Sequence, residues 1–154
     1  MDVWAEAAGM AGGLGEVVRI APLWPAIVAA ARGCVGTRFR PQGRVARVGL
    51  DCVGVVLIAA RAAGVRALRV PAYTLGGEHD AALAAGLAAA GCRRVAAPKD
   101  GDVLVIAPSA RQRHLAIVTP AGVVHAHAGL GRVVEGPRDG DWAVLSAWRL
   151  PGAR

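Results

Sequence analysis

An α+β fold, with helices in the amino-terminal half packed on a carboxy-terminal antiparallel sheet, is what the sequence predicts from three observations. Two Ala-rich apolar segments, 51–64 and 79–90, have the length and the end residues of helices. After Pro98 the chain changes to short β-branched runs separated by Gly, Pro and Asp. Helices followed by a meander, instead of alternating strand and helix, argue against a parallel βαβ architecture. At 154 residues the chain is about one domain long. That domain is expected over 23–154, with 1–22 as a poorly defined extension broken by Gly9, Gly12, Gly13 and Gly15.

In chain order, Pro25 sits in the first turn of a short helix with Ile27, Val28 and Ala31 on one side and Gly33 at its end. A loop rich in Gly, Arg and Pro fills 36–49. The run 51–64 could be a buried strand or a buried helix by periodicity alone. Its length, Asp51 as N-cap, Arg61 near the end and Gly64 beyond it favour helix against the β-branched content of Val53, Val55, Val56 and Ile58. Residues 79–90 form a second helix closed by Gly91. Strands are expected at 102–107, 113–119, 123–128, 132–135 and 142–150.

Composition narrows the functional classes. Hydrophobic content of 55% with 19% charge excludes a disordered chain. No apolar run reaches the roughly 18 residues that span a bilayer, since Ile20–Ala31 is short and carries Pro22 and Pro25, so no membrane span is expected. Asp2, Glu6 and Glu16 stand where a secretory signal has a basic and then an apolar segment, so synthesis in the cytoplasm without a signal peptide is expected. The net charge of +7 is almost all arginine, with Lys99 the only lysine, and it permits an anionic partner. Nucleic acid is not expected, because 4% aromatic content offers few stacking surfaces and no helix-turn-helix or finger pattern occurs. Cys34, Cys52 and Cys92 cannot all pair, match no zinc or redox spacing, and read as reduced thiols.

Cys52 would occupy the first turn of the 51–64 helix, where unpaired N–H groups favour an anion. A free thiol of pKa near 8.5 needs roughly 3–4 kcal/mol to become largely ionised at neutral pH, and a helix terminus supplies about 1–2 kcal/mol at most. A nucleophilic Cys52 therefore requires a histidine folded against it. His114, His125 and His127 flank Thr119-Pro120-Ala121-Gly122, which suits a two-residue turn. Pairing Thr119 with Gly122 and Val118 with Val123, extended to His114 opposite His127, puts all three imidazoles on one face with His125 diagonal to His114. Other readings stay open: Cys52 as an inert small hydrophobe, the histidines as part of an ordinary hairpin, or three imidazoles as zinc ligands. Cys34 and Cys92 read as inert core residues.

The order of Gly-Leu-Asp-Cys-Val-Gly (49–54), Gly-Asp-Val-Leu-Val-Ile (101–106), His-Leu-Ala-Ile-Val (114–118) and Val-Val-His-Ala (123–126) resembles the NlpC-type cell-wall cysteine peptidases, a papain-like family. Gly-Thr-Arg-Phe-Arg-Pro-Gln-Gly-Arg (36–44), Arg-Val-Val-Glu (132–135) and Ala-Trp-Arg-Leu-Pro-Gly (147–152) resemble its phage-associated branch. The resemblance covers about 25–152. It implies a papain-like fold and hydrolysis of an amide in peptidoglycan stem peptides, with phage tail proteins as partners and no cofactor or metal. It makes Cys52 the nucleophile, His114 the general base and His125 the residue that orients it, and it places Asp51, Phe39 and His127 at the binding site. Phe39 stands where many members carry tyrosine. The interval from His114 to His125 is one residue shorter than is common, which leaves His127 as an alternative third residue. A non-catalytic tail or wall-binding component, or a Cys-His amidase or acyltransferase, are the competing expectations.

Overall fold

The computed structural model describes residues 21–66, 68–69 and 79–154. Residues 1–20 of the expected extension and most of the loop at 71–80 lie outside them. Among the described residues the architecture is α+β: three helices and a six-stranded antiparallel sheet, with a two-stranded hairpin beside the central helix.

Helix α1 (Trp24–Arg32) has Pro25 in its first turn and buries Ile27, Val28 and Ala31, as the sequence spacing requires. Its start is tied to the chain end by bonds from Leu23 N to Gly152 O (2.8 Å) and Trp24 N to Ala153 O (3.2 Å). Strands β1 (Arg44–Val45) and β2 (Gly49–Leu50) then form a short hairpin within the segment expected to be loop. Two-residue strands carry no periodicity that a sequence can show.

Helix α2 (Cys52–Ala62) is central, with Val53, Gly54, Val55, Val56, Ala59 and Ala60 all buried. Burial on nearly every side explains why β-branched residues persist in a helix: packing outweighs a propensity loss of a few tenths of a kcal/mol per residue. Asp51 caps it by accepting from Gly54 N at 2.9 Å, and the chain turns away at Gly64 (φ 77°). Helix α3 (Asp80–Ala89) is capped at its end by the turn through Gly91 (φ 87°) and buries only Leu83 and Leu87.

Gly54 fixes how the hairpin meets α2. A Cβ there would lie 2.2 Å from Gly43 O and 2.9 Å from a Leu50 methyl. Backbone oxygen cannot yield as a side-chain tip can, so Gly54→Ala is expected to push the hairpin off the helix. A loss of about 1–3 kcal/mol in chemical denaturation is the expected result, and unchanged stability would show that the hairpin moves freely.

The sheet runs β3-β8-β4-β5-β6-β7, with β3 (Arg93–Val95), β4 (Val103–Ala107), β5 (His114–Thr119), β6 (Gly122–His127), β7 (Arg132–Gly136) and β8 (Ala143–Arg149). Strand β3, short and arginine-rich, was not anticipated. It exists because β8 offers it an edge at Arg93↔Arg149 and Val95↔Ala147. One face packs Leu115, Ile117, Val124, Ala126 and Val133 against the helices. Leu104, Ile106, Ala116 and Val123 form a second apolar cluster, completed by Trp142 and Val144.

The β5–β6 hairpin has the expected two-residue loop, with Thr119↔Gly122, Val118↔Val123 and Ile117↔Val124 in register. The pairing ends there and does not extend to His114 and His127, as the sequence register had supposed. Segment 36–39 continues the sheet beyond β7 through Gly36 N to Val133 O (2.9 Å), Val133 N to Thr37 O (2.8 Å) and Phe39 N to Gly131 O (2.8 Å).

Two of the motifs that carry the family resemblance meet in the core. Asp102, with no exposed surface, accepts from Arg149 Nε (3.0 Å) and a terminal guanidinium nitrogen (2.8 Å), and from Lys99 N (2.8 Å). This pair locks β4 to β8.

Candidate active site

Cys52 is the first residue of α2 and is half-buried. Of the four N–H groups at this helix start, Gly54 N bonds the Asp51 carboxylate and Val55 N bonds Asp51 O at 3.1 Å. Those of Cys52 and Val53 remain for other acceptors, and Val53 N–H acts on the Cys52 sulfur.

The sulfur's other backbone donor is Leu115 N–H on β5. Antiparallel alternation explains this contact. Val118 N bonds the O of Asp102, the residue just before β4, so the N–H groups of residues 115 and 117 face β6. Where β5–β6 pairing ends at Ile117↔Val124, the next such donor, Leu115 N–H, is directed at the thiol. The thiol thus meets β5 one residue along the chain from His114.

His114 and His125 are joined by a ring-nitrogen hydrogen bond, Nε2 to Nδ1, of 2.8 Å. Their rings meet edge-on at 5.0 Å between centroids. Trp142 lies edge-on to both, at 5.4 Å from His114 and 5.3 Å from His125. Burial pushes the His114 pKa down to about 4, helped by the neighbouring His125 and His127. Burial and His127 likewise bring His125 down to about 4. Both imidazoles are therefore neutral at pH 7. Folding stability from these two groups is full above the ordinary histidine pKa of 6.5 and is lost as pH falls toward 4, because the unfolded chain takes up protons first.

His127 does not bond His114. Its ring lies 5.6 Å from that of His125, and its Nδ1 accepts from Leu130 N at 3.0 Å, closing the turn after β6. Of the two candidates for the third position, the structure joins His125 to His114. Among the described residues no group of three His, Cys, Asp or Glu side chains is arranged to hold a metal ion.

The environment raises the Cys52 pKa to about 11. Burial is the largest cause and Asp51 adds to it, against the lowering by Leu115 N–H, Val53 N–H and Arg44. No imidazole is among the groups acting on the thiol. The resting chain therefore carries a neutral thiol and neutral imidazoles, not a thiolate–imidazolium pair. Cys34 and Cys92 are buried in the core, at 1% and 6% exposure, and burial raises both thiols.

Asp51, expected at the binding site, has its carboxylate engaged inside the protein. It accepts from Gly54 N, from Gln42 N (2.8 Å) and from Arg44 (2.6 Å). It holds the hairpin on the helix start and so positions Cys52. Phe39 is half-buried against the helix-side core and pairs with Leu50. Phe39 N bonds Gly131 O, and the neighbouring Arg40 N and Arg38 O bond Leu50, which sets Phe39 between β2 and the turn before β7.

Trp142 escaped the sequence reading, which took it only as the start of a strand. The available signal was a large aromatic placed among Gly and Asp in an aromatic-poor chain. Compared with known proteins, the chain matches no family model, no curated protein and no solved structure.

Proposed function

We propose that this chain is a papain-like thiol hydrolase that cleaves amide bonds in peptidoglycan stem peptides, working as part of a phage or phage-like tail that opens the cell wall. The observation that carries the chemistry is the 2.8 Å His114–His125 bond on the strand whose next N–H, that of Leu115, is directed at the Cys52 sulfur. The choice of wall peptide as substrate is supported by the order of motifs from 36 to 152.

In this reading His114 donates from Nε2 to His125 Nδ1. That tautomer leaves Nδ1 of His114 with a lone pair for the thiol proton. With the thiol near 11 and the base near 4, transfer ahead of attack is strongly uphill. The proton therefore moves to His114 as the sulfur adds to the carbonyl, and His125 then holds a charge-assisted bond from the imidazolium. The Cys52 N–H is placed to stabilise the developing oxyanion, a donor of a kind worth about 3 kcal/mol in the transition state. The imidazolium returns the proton to the leaving amine, and water releases the acyl group.

Muropeptide digestion followed by mass spectrometry tests the reaction, with shortened stem peptides expected. The pH profile tests the mechanism. Activity should hold across neutral pH, fall as His114 gains its proton near pH 4, and decline again toward pH 11. An acid limb near pH 6.5 would show that His114 is not the buried base described.

The neutral thiol and Phe39 in the tyrosine position favour one competing reading, a wall-binding tail component that keeps the fold without turnover. Binding of intact sacculi with no change in muropeptide masses would establish it.

A further inference from the structure

We infer that Arg132 and Arg38 form a carboxylate-binding rim that extends sideways from the histidine cluster and recognises an acidic end of the molecule held there. The inference rests on the peptidase reading for the identity of that molecule, but the rim itself follows from strand register.

His127 on β6 is directly opposite Arg132 on β7, and Arg132 is directly opposite Arg38 on the segment beyond it. Directly paired residues in antiparallel strands project from the same face. The row His127, Arg132, Arg38 therefore lies on the face that carries His125, two residues from His127 on β6. Bonds from Phe39 N to Gly131 O and Val133 N to Thr37 O flank the Arg38/Arg132 pair. This makes it the non-hydrogen-bonded kind, with Cα atoms about 4.5 Å apart and side chains closest.

Two guanidinium groups so placed repel one another. Both residues are exposed, and among the described residues neither has an acidic partner; the described ion pairs use Arg32, Arg44, Arg113 and Arg149 instead. Arg40, next on the same side of the segment, lays its aliphatic stem over Gly49, where a Cβ would be 2.4 Å from its Cδ. Like charges held together with no internal neutralisation are suited to an external anion, and paired guanidinium forks match a carboxylate.

Strand spacing gives the reach. Paired strands lie about 4.8 Å apart, so Arg132 stands about 10 Å from the line of β5 where β5 and β6 pair, and at least that far from its end at His114, beyond the last β5–β6 pair. An extended peptide covers that span in about three residues. The rim thus fits a carboxylate two or three residues from the attacked bond, as at the free end of a short peptide. A long phosphodiester chain would engage the wider arginine surface instead.

The test uses Cys52→Ala, which cannot turn over, titrated by calorimetry with L-Ala-γ-D-Glu-L-Lys-D-Ala and with the same peptide amidated at its carboxyl end. The free acid should bind at least about tenfold more tightly. Adding Arg38→Gln and Arg132→Gln should remove that difference without lowering the unfolding temperature, since a repulsive pair is relieved. Equal binding of the two peptides, binding of neither, or discrimination that survives the double change overturns the rim. So does arginine-dependent binding of poly(glycerol phosphate) tighter than that of the free acid. The chain with Cys52 intact is assayed for hydrolysis of both peptides separately. Hydrolysis without discrimination rejects the rim alone, and discrimination without hydrolysis rejects the peptidase reading alone.

Discussion

On the proposed peptidase reading, Cys52→Ala is expected to lower release of shortened muropeptides by at least about a thousandfold while leaving the fold intact, because it removes the sulfur that would form the acyl intermediate. Alanine keeps the helix start and the Asp51 cap, so the thermal transition at pH 7 should be close to that of the parent. Labelling supplies the companion measurement. Iodoacetamide should modify Cys52 before Cys34 and Cys92, since Cys52 is half-buried and the others are sealed in the core. The rate should climb about tenfold per pH unit up to about 11, where burial has placed this thiol. Fast labelling at pH 7 would mean an ionised thiol and an imidazolium partner, contrary to the neutral pair. The same burial makes a stability statement. Because the folded pKa lies above the ordinary 9.0, stability from this thiol is full below pH 9 and lost as pH rises through 11. Cys52→Ala should remove part of that alkaline loss, with Cys92, also near 11, and Cys34, likewise raised by burial, contributing to what remains.

Asp102→Ala should be the most destabilising single change away from the site. It leaves the Arg149 guanidinium, whose side chain is 11% exposed, without its carboxylate, and it removes the acceptor of Lys99 N. Breaking a buried pair on one side costs about 3–5 kcal/mol. For a domain of this size that corresponds to roughly 10 °C or more in the melting temperature. Replacing both partners, Asp102→Leu with Arg149→Met, should recover much of the loss, because the penalty belongs to the stranded charge and not to the absent attraction. If the double variant is as unstable as the sum of the two single ones, the residues are not coupled and the stranded charge is not the source of the loss.

Much of this molecule was legible along the chain because the relevant signals are local. Pro25 and Gly33 bracket α1, Asp51 and Gly64 bracket α2, and Pro120-Ala121 sets the hairpin register over three residue pairs. Turn chemistry and capping act within a few residues, so the order of residues is enough to read them. The β1–β2 hairpin and β3 were not legible, since strands of two and three residues exist only through the partners they meet. The same is true of Trp142, whose contact with two histidines depends on the position of the loop before β8.

Chain order by itself determined the α+β class, the helical start at Cys52 and the common face of the histidines, all consequences of backbone periodicity and end residues. Tertiary structure alone decided that β5–β6 pairing stops short of His114, that Leu115 N–H turns to the sulfur, and that His125 instead of His127 bonds His114. It also assigned Asp51 to internal bonds and left both thiol and imidazoles neutral. The physical reason is that hydrogen-bond competition and desolvation depend on what surrounds a group in space, and residues 52, 114, 125 and 142 acquire their surroundings only when the sheet closes against the helix.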